Sequence, residues 1–211
     1  PDHGQIRNSN GPLLQALVTR AGGIPRDLGI ARDQPDALRD KISLGLSEDI
    51  LLLSGGVSAG VLDLVPAALA AAGVEQVFHK VQLKPGKPLW FGCLFEKHQP
   101  RLVFGLPGNP VSSLVCFELF VRPAIARMSG HPASQPNHRR GVLTRGHRQT
   151  GNRPTYFPSI LSEEDSRLTV SPIDWQGSAD QRSLVTANGL ALFPAGDQDY
   201  RAGDSVLTIP L

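Results

Sequence analysis

The run Ile50-Leu51-Leu52-Leu53 is apolar at every position and is followed at once by Ser54-Gly55-Gly56. A strand with one wet face would alternate polar and apolar side chains, so an unbroken run predicts a strand covered on both faces, as in the centre of a parallel sheet. Glycines directly after it permit a tight turn into the helical pattern that begins at Leu64. Such a unit commits the chain to an α/β architecture, because a strand covered twice needs helices on both sides.

The pattern repeats along the first two thirds of the chain. Leu13, Leu14, Leu17 and Val18 follow helical spacing between Asn10, a candidate N-cap, and the stop at Gly22-Gly23. Ile24 to Ile30 reads as a short strand, and Pro35-Asp36 opens a second helix carrying Leu38, Ile42 and Leu46. A third helix spans Leu64 to Ala72 and closes at Gly73, and Val74 to Leu83 reads as the next strand. Leu89 to Phe95 and Leu102 to Leu106 flank a polar turn at Lys97-His98-Gln99-Pro100, which predicts a hairpin. Pro107-Gly108-Asn109-Pro110 then leads into a long apolar helix from Val111 to about Met128, with Asn109 placed to cap it and Gly130 to stop it. These elements predict a three-layer α/β/α sandwich with a mostly parallel sheet, a fold that binds ligands at the carboxyl ends of its strands.

The polar, Pro-rich stretch from His131 to Arg140 marks a boundary, dividing the chain into an α/β domain at residues 1–134 and a second domain at residues 135–211. Short β-type runs follow at Gly141 to Thr144, Thr155 to Leu161, Leu168 to Pro172, Ser183 to Leu192 and Ser205 to Ile209, with turns at Asp165-Ser166 and Ala202-Gly203-Asp204. With no convincing helix among them, they predict a small all-β barrel.

A chain of 211 residues can bury its core without covalent staples, and its two cysteines, Cys93 and Cys116, sit among apolar neighbours as small hydrophobes. That usage points to a reduced, cytoplasmic setting. No apolar run is long enough to span a membrane, and Pro1-Asp2-His3-Gly4-Gln5 resembles no signal sequence. Starting at Pro1 rather than Met, the chain reads as a candidate piece of something longer. A net charge of +2 with scattered Arg and Lys argues against nucleic acid, and the cluster Arg139, Arg140, Arg145 and Arg148 reads as a solvated domain boundary.

Three loops carry chemistry. In Ser54-Gly55-Gly56-Val57-Ser58-Ala59-Gly60-Val61-Leu62-Asp63 the glycines let backbone N–H groups approach a phosphate, Ser54 and Ser58 add hydroxyl donors, and Asp63 could hold a divalent cation against phosphate oxygens. A plain tight turn with Asp63 as N-cap uses the same residue types. Lys84 and Lys87 bracket Pro85-Gly86 and present two ammonium groups suited to a tetrahedral oxyanion, unless the turn is merely exposed and basic. Pro107, Gly108, Asn109 and Pro110 start a helix whose first turn holds Ser112 and Ser113, although Asn109 alone would more often be a cap. Asp33 could face the same edge or simply favour a helix dipole. Convergence of the three loops on one rim is what would make a site of them. The six histidines lack metal-ligand spacing.

At these residues the chain resembles the C-terminal two domains of the molybdopterin molybdenumtransferase family, the group that includes MoeA and the gephyrin E domain. The matching motifs are Gly4-Gln5-Ile6-Arg7-Asn8-Ser9-Asn10, Gly29-Ile30-Ala31-Arg32-Asp33, the Ser54 to Asp63 loop, Lys84-Pro85-Gly86-Lys87-Pro88, and Gly105 to Ser112. The resemblance implies binding of adenylyl-molybdopterin and molybdate, insertion of the metal into the dithiolene, and release of AMP assisted by a divalent cation, Mg2+. It further implies that Ser54, Gly55, Gly56, Ser58 and Gly60 cradle the ligand phosphate and that Asp63 handles cation and hydrolysis, with Asp33 nearby. Lys84, Lys87 and Ser112 would gather molybdate beside Pro107, Gly108, Asn109 and Pro110. A homodimer of a longer protein is implied too, since the family's N-terminal half, which completes the cleft, has no counterpart here. Asn8 stands where the family often has Asp, and Pro66 where a Lys is common. Two other functions share this fold: an adenylyltransferase that prepares molybdopterin, against which the trailing β domain argues, and a gephyrin-like scaffold that grips receptor peptides.

Overall fold

The computed structural model describes residues 7–32, 34–57, 64–96, 99–132, 136–164 and 166–211. Helices α1 (Asn10–Arg20) and α2 (Pro35–Gly45) precede strand β1 (Ile50–Ser54), followed by α3 (Leu64–Ala71), β2 (Glu75–His79), β3 (Trp90–Leu94) and β4 (Arg101–Leu106). The sheet order is β1-β4-β3-β2. β1 pairs parallel with β4, while β3 is antiparallel to both β4 and β2. Three of the four strands therefore point one way, and the expected β3–β4 hairpin supplies the one reversal.

Alternation along the strands separates two apolar layers. Ile50 and Leu52 of β1 and Leu102, Phe104 and Leu106 of β4 pack with Leu14 and Leu17 of α1 and with the helix that follows β4. Leu51, Leu53 and Val103 face the other way, onto Leu38 and Ile42 of α2 and Val65 and Leu69 of α3. Three layers result, as the apolar run implied. The run does not make β1 central, however: β1 is an edge of the described sheet. An unbroken apolar stretch reports two covered faces, and says nothing of how many strands flank it.

Two further expectations fail near the N-terminus. Ile24 to Ile30 is not a strand but an extended coil, with Ile24 96% and Ile30 72% exposed. Pro25 lacks a donor and no strand lies alongside to pair with, so the segment is held by local bonds, Gly29 N–H to Asp27 Oδ1 at 2.7 Å and Lys41 Nζ to the Leu28 carbonyl. Asn10 is not the N-cap either; Ser9 occupies that position, and Asn10 is the buried first residue of α1.

The long helix after β4 is one continuous rod in three parts: α4 (Pro110–Cys116), a π-helical turn (Phe117–Val121) and α5 (Arg122–Met128), ending at Gly130 with φ 83°. Within the π turn, Glu118 is 1% exposed and accepts from Arg20 at 2.9 Å and from both Nε and Nη2 of Arg122. The bidentate contact pushes the Arg122 pKa up further. Through the buried Glu118 carboxylate, this triad ties the end of α1 to the rod.

Beyond it lie β5 (Arg139–Leu143), β6 (His147–Gln149), β7 (Thr155–Glu164), β8 (Arg167–Pro172), α6 (Arg182–Thr186), β9 (Gly189–Phe193), β10 (Gln198–Tyr200) and β11 (Ser205–Pro210). β11-β5-β8-β7-β9 close into a five-stranded barrel, and β10 pairs with β6 beside it. The run Ser183 to Leu192, expected as one strand, is instead split: its first part winds into α6 before β9 begins. β propensity at Leu184 and Val185 loses because no strand edge is free there, and Val185 stays 85% exposed. Leu190 and Ile209 of the barrel join the apolar layer under the rod, so the two parts share a core.

Candidate functional site

Because β1, β2 and β4 point the same way, the loops that follow them leave the sheet on one edge. The first and third loops meet backbone to backbone. Gly55 N–H donates to the Leu106 carbonyl at 3.0 Å, and a methyl group on Gly108 would lie 3.6 Å from the Gly55 Cα. Asn10 reaches in from α1, its Nδ2 donating to Ser54 Oγ and to the Gly108 carbonyl, both at 2.7 Å. Gly55 and Gly56 have φ of 88° and 70°, the left-handed turn that lets the chain leave β1 so sharply. The Gly55 amide is thus engaged within the fold and is not a free donor for phosphate, a correction to the row of open amides expected of this loop.

The second loop is built around Gly86. Its φ is 125°, and a methyl group there would lie 2.7 Å from Cys116 Sγ and 2.9 Å from Leu83 Cδ2. Pro85 and Gly86 are buried, Lys84 is half-buried and Lys87 exposed, so this is a wedged turn rather than a loose basic one. Lys84 also joins the barrel: its N–H donates to the Pro154 carbonyl at 2.9 Å, and its carbonyl accepts from Tyr156 N–H at 2.8 Å.

Between this turn, the third loop and the barrel lies a cavity of about 450 Å³. Lys84, Lys87, Pro107, Asn109 and Ser112 line it from the α/β side, as the sequence suggested, and Arg148, Arg153, His147 and Ser178 line it from the barrel. Four cationic residues line it, and no carboxylate does among the described residues. Asn109 does not cap α4 with its side chain; its Nδ2 donates to Ser178 Oγ at 2.8 Å, and Val111 N–H donates to the Ser178 carbonyl at 3.2 Å. Arg153 is anchored by donating to the Leu83 carbonyl at 2.9 Å, next to Lys84. His147 stacks on Phe193 with centroids 3.9 Å apart, and burial together with the charges of Lys84 and Arg145 holds its pKa below the usual 6.5. Chemically the cavity is an anion receptor, with point charges on two sides and hydroxyl and amide donors between them.

The structure does not bring every expected residue to this cavity. Ser54, Gly55 and Gly56 lie behind Gly108, joined to it through Asn10 rather than lining the space, and Gly108 and Pro110 shape the third loop without lining it either. Ser58, Gly60, Asp63 and Asp33 lie outside the described residues, as does the Gly4 to Ile6 part of the first motif. The barrel's contribution was missed. Arg148, which the sequence placed in a basic cluster, lines the cavity while its Nε lies 3.8 Å from Asp199 Oδ1; Arg139 pairs with Glu163 and Arg145 with Asp174. Basic residues clustered at a domain junction were the available signal. Among the described residues no group of three or more His, Cys, Asp or Glu could hold a metal ion. Both cysteines are free and buried, and burial pushes the Cys116 thiol up to about 12, which removes it as a nucleophile.

Comparison with known proteins fits this geometry. Residues 2–127 match the family described as a probable molybdopterin binding domain, and residues 140–211 match the MoeA C-terminal region, domain IV. Among curated relatives, a molybdopterin molybdenumtransferase from Synechococcus elongatus is 36% identical over 96% of this chain and 49% of its own length. One from Bacillus subtilis is 29% identical over 96% of this chain and 46% of its own. The chain therefore spans about half the length of the curated relatives it matches. Among solved structures, the molybdopterin biosynthesis MoeA protein from Pyrococcus horikosii aligns with TM-score 0.77 and 26% identity, covering 100% of this chain and 51% of that one. A molybdenum cofactor biosynthesis protein from Pyrococcus furiosus aligns with TM-score 0.71 and 25% identity, covering 95% of this chain and 64% of that one. With both of its parts matched in this order, an α/β domain and a closed barrel meeting at a cationic cavity, the chain belongs to the MoeA family.

Proposed function

We propose that this chain is the ligand-binding portion of a molybdopterin molybdenumtransferase, acting in molybdenum cofactor biosynthesis by inserting molybdate into adenylyl-molybdopterin with release of AMP. The observation that carries this reading is the cavity with four cations and no lining carboxylate among the described residues. A tetrahedral dianion such as molybdate gains from several fixed positive charges in a half-enclosed space, where screening by water is reduced. Lys84 and Lys87 hold the oxyanion from one side and Arg148 and Arg153 from the other, while Ser112 and Ser178 supply hydroxyl donors. His147, neutral near pH 7, leaves room for anion binding to draw a proton onto it.

In this reading the Ser54-Gly55-Gly56 loop, with Ser58 and Gly60, takes the adenylate phosphate of the substrate through donors other than the Gly55 amide, which is bonded to the Leu106 carbonyl, and Pro107, Gly108, Asn109 and Pro110 form the ridge between phosphate and molybdate. Asp63 and Asp33 serve the hydrolytic step. A Mg2+ ion would need carboxylate oxygens, and the described lining offers none, so no step is routed through it. A homodimer of a longer chain and a cytoplasmic setting complete the reading, the latter in keeping with two free thiols. No helix among the described residues is long and apolar enough to cross a membrane.

Isothermal titration of the chain with sodium molybdate tests the proposal. Saturable binding, weakened at least about tenfold in the Lys84→Ala/Lys87→Ala variant and by raised salt, is the expected result. Equal affinity in both proteins would remove the cavity from the function.

A further inference from the structure

Asn10 has been placed by its neighbours in an unusual position for the first residue of a helix. A residue there that served only to cap would offer its oxygen to the open N–H groups of the first turn. Asn10 does the reverse. Its side-chain nitrogen donates two 2.7 Å hydrogen bonds, to Ser54 Oγ, 44 positions away, and to the Gly108 carbonyl, 98 positions away. A carbonyl only accepts, so the amide nitrogen must face Gly108 and the orientation of the side chain is fixed. Asn10 Oδ1 is thereby left buried, with no partner among the described residues. Such an orphan costs free energy, and its retention calls for a reason beyond helix formation.

The surroundings supply one. Ser54 ends β1 and Gly108 lies in the loop after β4; they belong respectively to the loop assigned to phosphate and to the ridge beside the lysine cavity. The two loops touch through Gly55 and Gly108 without any direct side-chain bond between them, and Asn10 is the side chain that ties both. α1 itself is held firmly: Leu14 and Leu17 sit in the core, and Arg20 at its far end is paired with the buried Glu118. The amide is therefore presented from a rigid element, as a fixed-length strut that adds a side-chain tie between two glycine-containing turns to the backbone bond from Gly55 to Leu106. We infer that Asn10 is a positioning residue that sets the Ser54–Gly56 loop against the Gly108 ridge, so that a phosphate on the first loop and an oxyanion in the cavity are held at one separation. This rests on the assignment of those two subsites above.

The experiment titrates AMP and sodium molybdate separately into the wild-type chain and into Asn10→Asp, which keeps size and shape but sets an oxygen against the Gly108 carbonyl. Thermal melting is recorded alongside. The expected result is a loss of about tenfold or more in AMP affinity with molybdate affinity within about twofold of wild type, since the lysine cavity does not include Asn10. Should Asn10→Asp fail to fold, Asn10→Ala and Ser54→Ala, singly and together, give the same reading through a double-mutant cycle: a strut predicts that the two losses in AMP affinity do not add. AMP affinity unchanged in every variant overturns the inference. So does a parallel loss of both ligands with a lowered melting temperature, which marks a merely structural role. A wild-type chain that takes up molybdate and not AMP removes the phosphate loop and the role of Asn10 with it. One that takes up neither overturns the proposed function itself.

Discussion

Replacing Gly86 with alanine separates two kinds of strain at one atom. The backbone there has φ 125°, a region that L side chains rarely enter, and the added methyl would sit 2.7 Å from Cys116 Sγ and 2.9 Å from Leu83 Cδ2. Holding a non-glycine residue in such a conformation costs about 1–3 kcal/mol. Forcing a methyl into a packed core costs about 1–3 kcal/mol more, because Cys116 is fully buried on the rod and Leu83 is 4% exposed. The sum, roughly 2–6 kcal/mol, is a large share of the stability of a typical domain. For a chain of this size it corresponds to a fall of roughly 5–20 °C in Tm. Differential scanning calorimetry of Gly86→Ala and of Gly86→Ala/Cys116→Ala would apportion it. The second change removes the sulfur that the methyl meets, so the double variant should stand above the sum of the single losses by about 1 kcal/mol or more while staying below wild type. Additive losses, or a Gly86→Ala protein that melts like wild type, would refute the claim that the lysine turn is wedged against the rod.

Three further outcomes follow from other parts of the molecule. Arg122→Ala should cost about 2–4 kcal/mol in chemical denaturation, since it strips the bidentate partner from a carboxylate that is 1% exposed, whereas Arg20→Ala, whose side chain is 48% exposed, should cost less than about 1 kcal/mol. His147 has a depressed pKa in the folded chain, so the unfolded chain binds the extra proton first; its contribution to stability is complete above pH 6.5 and is lost as pH falls from there through the folded pKa. His147→Gln should flatten that part of the stability profile measured by denaturant melts between pH 7 and pH 5. Molybdate binding should also tighten over the same pH range in wild type more than in His147→Gln, as a protonated imidazole adds a fifth positive charge to the cavity, and isothermal titration at two pH values reads this directly.

What could be read from the chain depended on whether the signal was local. Helices α2 and α3 and the hairpin of β3 and β4 declare themselves through spacing and turn residues, and those physical effects act over a few positions. The layer pattern of Ile50 to Leu53 was visible for the same reason, but the strand's place at the edge was not, because sheet order is set by contacts between residues some fifty positions apart. Ile24 and Ile30 look like strand residues and are exposed, since propensity without a partner strand secures nothing. At the site, Lys84, Lys87 and Asn109 could be picked out because each sits beside glycine or proline in a turn, and Ser112 because it falls in the first turn of the helix that Pro110 opens. Arg153 and Ser178 could not, and Arg148 only as part of a basic cluster, since only closure of the barrel against the α/β domain carries them to the cavity. Asn10 was noticed for the wrong reason: its residue type suits an N-cap, and only the fold shows its amide turned toward two distant loops.

One tetrahedral anion should settle where the lysine turn faces the barrel. Crystals of the chain grown without phosphate or sulfate and soaked in molybdate, with data collected on either side of the molybdenum absorption edge, would locate that anion without any assumption about its surroundings. The expected anomalous peak lies inside the cavity, with molybdate oxygens at hydrogen-bond distance, about 2.7–3.2 Å, from Lys84 or Lys87 and from Arg148 or Arg153. A peak of full occupancy elsewhere with the cavity empty would contradict it.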